Sequence, residues 1–258
     1  MRVAPAAMIA VDHVSQWFEA AAGRVAALQD VSFTVAAGEF VSLIGPSGCG
    51  KSTLLRIIGD LTAPSAGRVW VNGKPPRDAR LGRDYGIVFQ SPVLYDWRTV
   101  RRNVELPLEV MGFPRGERAS LAEHMLALVG LQQFAGHYPW QLSGGMQQRV
   151  SIARALAFSP SILLMDEPFG ALDELTRERM NQELLAVRAQ THNTVLFVTH
   201  SIAEAVFLSS RVIVLTPRPG RIEQTVEIDL PHPRVAATRA APRFFELVTR
   251  IRGALREG

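Results

Sequence analysis

The stretch GPSGCGKST, from Gly45 to Thr53, decides how the rest of the sequence is interpreted. It fits the phosphate-binding pattern G-x-x-x-x-G-K-[ST] and lies between an apolar run at 40–44, typical of a buried strand, and a predicted helix over 52–58. Glycine lets the backbone curl so that successive N–H groups point at phosphate oxygens, and a helix N-terminus adds a positive dipole end. The sequence therefore predicts a nucleoside triphosphate site.

Two side chains of this loop have expected roles. Lys51 would reach the β- and γ-phosphates, and the Ser52 hydroxyl would ligate Mg²⁺. The weaker alternative is a glycine turn that only joins a strand to a helix. We expect the whole stretch to contact the nucleotide: Gly45, Pro46, Ser47, Gly48, Cys49, Gly50, Lys51, Ser52 and Thr53. For the Cys49 side chain, a role as a small filler is the favoured interpretation.

Length and composition are those of a globular protein. With 258 residues, 47% of them hydrophobic and 20% charged, the chain can form one large α/β domain, or one domain with a modest subdomain. The net charge of +4 is too small and too scattered to indicate a nucleic-acid partner. A single cysteine excludes an internal disulfide and fits a reducing compartment. No apolar run reaches the roughly 18 residues of a membrane span, so we expect any membrane role to come through a partner.

Hydrophobic periodicity divides the first part of the chain. Residues 9–14 and 31–35 alternate as half-buried strands do, and 69–71 with Asn72-Gly73 is typical of a strand entering a hairpin. Residues 91–159 have helical spacing, which predicts a helical subdomain inserted in a larger core.

The second part of the chain alternates between strands and helices. This alternation predicts an α/β fold with a mostly parallel sheet covered by helices, and residues 222–228 are expected to add an edge strand. We expect one domain over residues 1–230 and a C-terminal tail over 231–258. Residues 243–255 of that tail have the spacing of a short amphipathic helix, either packed on the surface or loosely attached.

An apolar strand over 162–165 runs into two acids, Asp166 and Glu167. Ligands of a parallel sheet bind at the carboxyl ends of its strands, so Asp166 is expected to hold Mg²⁺ through a water beside the phosphate loop. Glu167 would then point at the γ-phosphate and polarise an attacking water. In isolation these could be two solvated acids at a strand end, and it is the upstream phosphate loop that favours a site.

The segment LSGGMQQR, from Leu142 to Arg149, precedes another predicted helix. Ser143 can cap that helix, and Gly144 and Gly145 leave its first N–H groups bare, so a second anion-binding helix end is expected. On these residues alone, a plain cap on an amphipathic helix is an equally good interpretation.

With this segment between the phosphate loop and the acidic strand, residues 8–230 resemble the ATP-binding cassette ATPases. The other ordered motifs are Gln90 after a strand, Gly170 to Asp173 after the acids, and His200 after a later strand. The resemblance implies a P-loop NTPase core with a mostly parallel sheet and flanking helices, an antiparallel β subdomain and an inserted helical subdomain. It also implies an ATPase that uses ATP and Mg²⁺.

The resemblance implies further roles at matching positions. Gln90 would touch Mg²⁺ and the attacking water, His200 would contact the γ-phosphate, and Asp173 would couple two sites across a dimer. Phe18 is expected to stack on adenine, and Trp17 is its competitor because neighbouring side chains on an extended segment face opposite ways. Singly, each would be interpreted as an ordinary surface or core residue; only the ordered set indicates function.

The resemblance implies a head-to-tail homodimer as well. Ser143, Gly144 and Gly145 of one chain would meet the γ-phosphate bound by the other, which excludes water from the reacting group. Nucleotide binding would hold the pair together, and hydrolysis would release it.

Among such ATPases, a separate subunit of a bacterial-type importer is favoured, because fused membrane helices, long coiled-coil or zinc insertions and a second cassette are absent from the sequence. Residues 94–100 and 168–177 resemble the nitrate/sulfonate/taurine importer group, with Asp96 where that group usually has proline. Expected partners are transmembrane permease subunits, and through them a solute-binding protein, at the cytoplasmic face of the membrane. The alternative is a soluble ATPase of the same family that acts on nucleic acid or ribosomes.

Residues 90–111 would form the groove that receives a coupling helix of the permease. The alternative for this segment is an ordinary helical hairpin packed on its own core.

Overall fold

The computed structural model describes residues 7–20 and 23–257. Its strands are β1 (Ala7–Ala20), β2 (Gly23–Ala36), β3 (Phe40–Ile44), β4 (Ala66–Val71), β5 (Tyr85–Val88), β6 (Ile162–Asp166), β7 (Thr194–Val198), β8 (Arg211–Leu215) and β9 (Ile222–Glu227). Its helices are α1 (Lys51–Ile58), α2 (Pro76–Leu81), α3 (Val100–Val110), α4 (Arg115–Leu128), α5 (Gly144–Leu156), α6 (Glu174–Thr191), α7 (Ile202–Leu208) and α8 (Pro242–Glu257).

The central sheet has six strands in the order β5-β6-β7-β3-β8-β9. The strands from β5 to β8 pair in parallel, and β9 adds an antiparallel edge. Every residue of β3, β6 and β7 is buried, because both faces of the sheet are covered. Alternate residues of β7 enter opposite core clusters, with Val195 and Phe197 on one face and Leu196 and Val198 on the other. The predicted α/β class, its mostly parallel sheet and the edge strand are confirmed.

A second sheet has three antiparallel strands in the order β2-β1-β4 and packs, together with α1, against one face of the central sheet. The pattern at 9–14 and 31–35 correctly predicted two strands, but β1 and β2 each extend over 14 residues. In the register of this pair, Trp17 lies opposite Ala26 and Phe18 lies opposite Val25. Both aromatic residues therefore belong to the antiparallel sheet.

The predicted hairpin after β4 is wrong. Asn72 and Gly73 do form a turn with positive φ angles of 51° and 70°, but Lys74 makes only an isolated bridge with Val71. The helix α2 begins two residues later, with proline at positions 75 and 76. Proline has no N–H to give to a strand ladder and is well suited to the first turn of a helix, so this pair ends the extended chain.

The helices α3, α4 and α5 lie between β5 and β6 in the chain. Together with α6, α7 and α8 they contribute to the hydrophobic cluster that contains Val195 and Phe197, which we call the main core. The helix α4 begins at Arg115, directly after Pro114. Proline is common at the start of a helix, so Pro114 separates α3 from α4 and marks where α4 begins.

The helix α8 packs into the main core. Phe244, Leu247 and Ile251 are buried among residues of α7, β8 and β9. Upstream of it, the buried Arg234 guanidinium donates to the carbonyls of Val206, Phe207 and Ser209, at 3.2, 3.0 and 2.7 Å, at the end of α7. Of the two arrangements considered for this helix, packing is the one observed; the domain boundary at residue 230 stays a prediction.

Candidate functional site

The loop from Gly45 to Gly50 joins the buried β3 to α1, at the carboxyl end of the central sheet. Gly48 and Gly50 have positive φ angles of 78° and 103°, which only glycine adopts without strain. A Cβ at Gly50 would also stand 2.6 Å from the Leu28 side chain. Because Gly50 is the N-cap of α1 and makes no side-chain cap, the first N–H groups of α1 are available to an anion.

The Lys51 side chain is buried and folded back over this loop. Its ammonium nitrogen donates to the carbonyl oxygens of Gly45 at 2.9 Å and Pro46 at 3.0 Å. Cys49 lies beneath the loop, 3.9 Å from the same nitrogen, and burial raises the pKa of its thiol. The loop thus has a cation fixed at its centre, whereas Cys49 fills space behind it.

Ser52 and Asp166 meet at the start of α1. The Ser52 hydroxyl donates to the Asp166 carboxylate at 2.7 Å. Burial raises the pKa of Asp166, the Ser52 hydrogen bond opposes that shift, and the charge of the adjacent Glu167 adds to it. A buried carboxylate beside a hydroxyl is a donor pair that suits Mg²⁺, which binds one or two such ligands together with phosphate oxygens.

Glu167 and His200 follow the neighbouring strands β6 and β7. Glu167 has a positive φ of 44°, and its carboxylate lies 3.0 Å from His200 Nδ1. Gln90 follows β5 on the same edge; a Cβ at Gly170 would stand 3.5 Å from both the Gln90 amide nitrogen and the Glu167 carboxylate. The parallel sheet therefore brings together three side chains that are far apart in the sequence.

A cavity of about 280 Å³ adjoins the loop. It is lined by Phe18, Ala27, Ser47, Gly48, Gly50, Lys51, Ser52, Thr53, Glu167 and Arg218. Phe18 is 43% exposed on its wall, whereas Trp17 is not among these residues and packs instead under the Arg24 guanidinium, 4.1 Å from the ring centroid. Of the two aromatic residues, Phe18 is therefore the one at the cavity; its contact with a base stays a prediction.

Arg218 was not identified from the sequence. It lies in the turn between β8 and β9, and nothing local in the segment Thr-Pro-Arg-Pro-Gly-Arg indicates which part of the fold the turn packs against. The Pro-Gly pair in this segment predicts a turn but does not show that the turn lies beside the phosphate loop.

The segment around Ser143 lies elsewhere. Ser143 caps α5 by accepting from the Met146 N–H at 3.3 Å, and it is exposed together with Gly144. Asp173 caps α6 in the same way, and hydrogen bonds from Thr176 lower its pKa. None of these residues, nor the buried Gly145, lines the cavity at the phosphate loop. The structure thus gives one chain two separate polar surfaces.

An apolar groove of about 400 Å³ lies between β5 and α3. Val93, Tyr95 and Val110 line it and are exposed, Val110 to 78%. Arg154 of α5 donates to the carbonyls of Val93 and Pro92 at 2.7 and 2.8 Å, which fixes the segment that follows Gln90. Within residues 7–20 and 23–257, no helix combines the length and apolarity needed to span a bilayer.

Comparison with known proteins agrees with this geometry. Residues 28–170 match the family described as ABC transporter. A taurine import ATP-binding protein of Rhizobium johnstonii is 48% identical over an alignment of 255 residues, and the match covers 96% of each chain. A nitrate import ATP-binding protein of Synechocystis sp. is 45% identical over 240 residues, covering 91% of this chain and 90% of its own.

Two solved structures resemble the whole fold. A bacterial ABC transporter cassette solved as a dimer superposes with a TM-score of 0.76 at 39% identity, covering 86% of this chain and 99% of that chain. A dimeric post-hydrolysis state of that cassette, bound to ADP and phosphate, gives the same TM-score at 38% identity and the same coverage. The chain belongs to the ABC transporter family, as an ATP-binding subunit that hydrolyses ATP.

Proposed function

We propose that this chain is the ATPase subunit of an ABC importer and powers the uptake of a small solute, either nitrate-, sulfonate- or taurine-like or a related organic molecule. The observation that carries the proposal is the cavity in which Phe18, the phosphate loop and Glu167 meet. The names of the relatives, taurine import and nitrate import ATP-binding proteins, support the importer class.

In this proposal the nucleotide lies across the cavity. Phe18 stacks on adenine, the loop N–H groups and Lys51 hold the phosphates, and Thr53 adds a hydroxyl at the first turn of α1. Ser52, Gln90 and, through a water, Asp166 would hold Mg²⁺, which neutralises charge on the β- and γ-phosphates.

The hydrolytic step follows from the arrangement of Glu167 and His200. The Glu167 carboxylate accepts a proton from the attacking water as that water's oxygen bonds to the γ-phosphorus and the bond to the β-phosphate oxygen breaks. His200, 3.0 Å from that carboxylate, orients it and contacts the γ-phosphate. Gln90 positions the water.

The active unit is a pair of chains. One cavity offers donors to only part of a triphosphate. The segment from Ser143 to Gly145, in which Ser143 and Gly144 are exposed, offers a capped helix end away from its own cavity. A second copy arranged head to tail would bring this segment to the γ-phosphate, with Asp173 at the contact between the two sites. The dimeric form of the similar cassette supports this assembly.

Permease subunits are the proposed membrane partners. The exposed apolar groove at Val93, Tyr95 and Val110 suits an amphipathic helix, and it is joined to the site through Gln90. Through the permease the chain would serve a solute-binding protein from the cytoplasmic face of the membrane. The alternative, an ATPase acting on nucleic acid or ribosomes, is not favoured by relatives that are named import proteins.

The Glu167→Gln variant tests the catalytic arrangement. It keeps the shape of the side chain but cannot accept the proton, so we expect ATP binding with turnover reduced on the order of 10²-fold or more and accumulation of a dimer. Light scattering with and without ATP, beside a turnover assay, measures both effects. Lys51→Ala is the comparison variant, because it should lose both turnover and the ATP-dependent dimer.

Normal turnover by Glu167→Gln would contradict the assignment of the base.

The importer class is tested by reconstituting the chain in vesicles with the membrane proteins encoded beside its gene. Faster ATP hydrolysis in those vesicles supports the proposal. Stimulation by RNA, DNA or ribosomes, with no effect of the membrane proteins, would support the alternative.

A further inference from the structure

The turn between β8 and β9 is wedged against the phosphate loop. The Gly220 N–H donates to the Ala27 carbonyl at 2.9 Å, and the Gln29 N–H donates to the Gly220 carbonyl at 3.0 Å. A Cβ at Gly220 would stand 2.0 Å from the Cys49 carbonyl oxygen, so only glycine fits. The position of this turn is therefore fixed relative to both β2 and the loop.

Arg218 extends from this fixed turn to the mouth of the cavity. Its Nε donates to the Ala26 carbonyl at 3.3 Å, and its side chain is otherwise exposed. Arg221, from the same turn, has a different partner: it donates to the Gln29 side chain at 2.6 Å and does not line the cavity. The two arginines thus form a matched pair, of which one reaches the site.

The strand β2 shows which part of a nucleotide Arg218 would meet. Val25 lies opposite Phe18, at the end of the cavity proposed for adenine. Ala27 lies at the other end, with its carbonyl oxygen 2.9 Å from where a Cβ of Gly50 would stand. Ala26, to which Arg218 is attached, is between them. A nucleotide with its base on Phe18 and its terminal phosphates in the loop would pass this point with its ribose and α-phosphate.

We propose that Arg218 binds the α-phosphate of the nucleotide. The inference rests on the proposed nucleotide position and adds a contact to it. A guanidinium presents a planar set of donors that matches phosphate oxygens, and it remains charged at any physiological pH. Lys51 is buried at the other end of the cavity and bound to the loop, so it serves the terminal phosphates. Arg218 adds charge on the side that the loop does not cover.

Binding of ADP, 2′-deoxy-ADP and a non-hydrolysable ATP analogue, measured by calorimetry, tests the proposal. We expect Arg218→Ala to weaken all three by the same factor, roughly tenfold. Arg218→Lys should recover part of the loss, since it keeps the charge but not the planar donors. Arg221→Ala should leave all three affinities within about twofold of the wild type.

Four results would overturn the proposal. The first is unchanged affinity of Arg218→Ala, and the second is a loss confined to the ATP analogue, which would assign the contact to the γ-phosphate. The third is that the loss of affinity caused by Arg218→Ala disappears when 2′-deoxy-ADP is the ligand, which would assign the Arg218 contact to the ribose. The fourth is that nucleotide-free Arg218→Ala unfolds at a lower temperature than the wild type, with a destabilisation as large as the loss of binding free energy. That result would indicate a structural role for Arg218. If the wild-type chain binds none of the ligands, the proposed function fails as well; otherwise only the Arg218 contact does.

Discussion

At Asp166 folding and the proposed binding of Mg²⁺ place opposite demands on one carboxyl group. Burial raises the pKa of this carboxyl, which means that the folded chain favours its protonated form. The associated stabilisation is complete below the pKa of the unfolded chain and is lost as pH rises through the raised pKa of the folded chain. The Mg²⁺ site proposed at Asp166 requires the ionised form. The burial that raises this pKa therefore acts against the form that the proposed site needs, so such a site would be kept at the expense of stability.

The Asp166→Asn variant separates the two effects. The amide can still accept the Ser52 hydrogen bond but has no charge, so at neutral pH we expect the unfolding midpoint of the nucleotide-free protein to rise by a few degrees. The difference from the wild type should shrink as pH falls through the raised pKa of Asp166. Turnover should fall on the order of 10²-fold or more, because the carboxylate proposed to hold Mg²⁺ through a water is lost.

Thermal unfolding over a pH series and a turnover assay measure these changes. Asp96→Asn, at an exposed position, is the matched control and should change neither quantity. A variant that is less stable than the wild type at neutral pH would show that the Asp166 charge contributes more than its burial costs.

Among the elements, α3 holds the loop that precedes it through one buried amide. The Asn103 side chain accepts from the Tyr95 N–H at 2.8 Å and donates to the carbonyls of Tyr95, Arg98 and Thr99 at 3.1, 3.0 and 3.1 Å. This loop carries the exposed Trp97, whose ring centroid lies 4.8 Å from that of Tyr95. The side chain of Asn103, on α3, thus fixes the loop residues that are proposed to contact a permease.

Asn103→Ala should therefore affect coupling more than hydrolysis. Partly buried backbone groups of the loop lose their partners, which we expect to cost about 2–4 kcal/mol of unfolding free energy. Stimulation of ATP hydrolysis by the reconstituted membrane proteins should fall, while ADP affinity is retained. Gln132→Ala, an exposed change in the same subdomain, is the control. Loss of ADP affinity in Asn103→Ala would contradict a role confined to the loop.

For the molecule as a whole, the sequence predicted most elements that a local motif or an apolar run specifies. The glycines and lysine of the 45–53 loop, and the uninterrupted apolar strands, predicted the central sheet and the position of Asp166. Contacts between distant segments were not predictable. The turn with Arg218 meets the phosphate loop only because β8 lies beside β3 in the sheet. One local prediction was also wrong: Asn72-Gly73 indicated a hairpin, but the prolines at 75 and 76 begin the helix α2 instead.

The packing of α8 is a further property of the whole molecule, and adjacent phenylalanines allow it to be tested. Phe244 is 4% exposed and belongs to the main core, whereas Phe245 is 57% exposed. Phe244→Ala should lower the free energy of unfolding by about 3–5 kcal/mol, because it leaves a cavity against α7 and the sheet. Phe245→Ala should change it by no more than about 0.5 kcal/mol.

Urea unfolding of the two variants measures this difference. Because α7 begins two residues after His200, a loosened α8 should also lower the temperature at which ATP hydrolysis is lost, by an amount that follows the loss of stability. A loosely attached helix would make the two variants equivalent. Equal unfolding free energies would therefore show that α8 does not stabilise the core. The position of His200 at the end of β7 would then not depend on this helix.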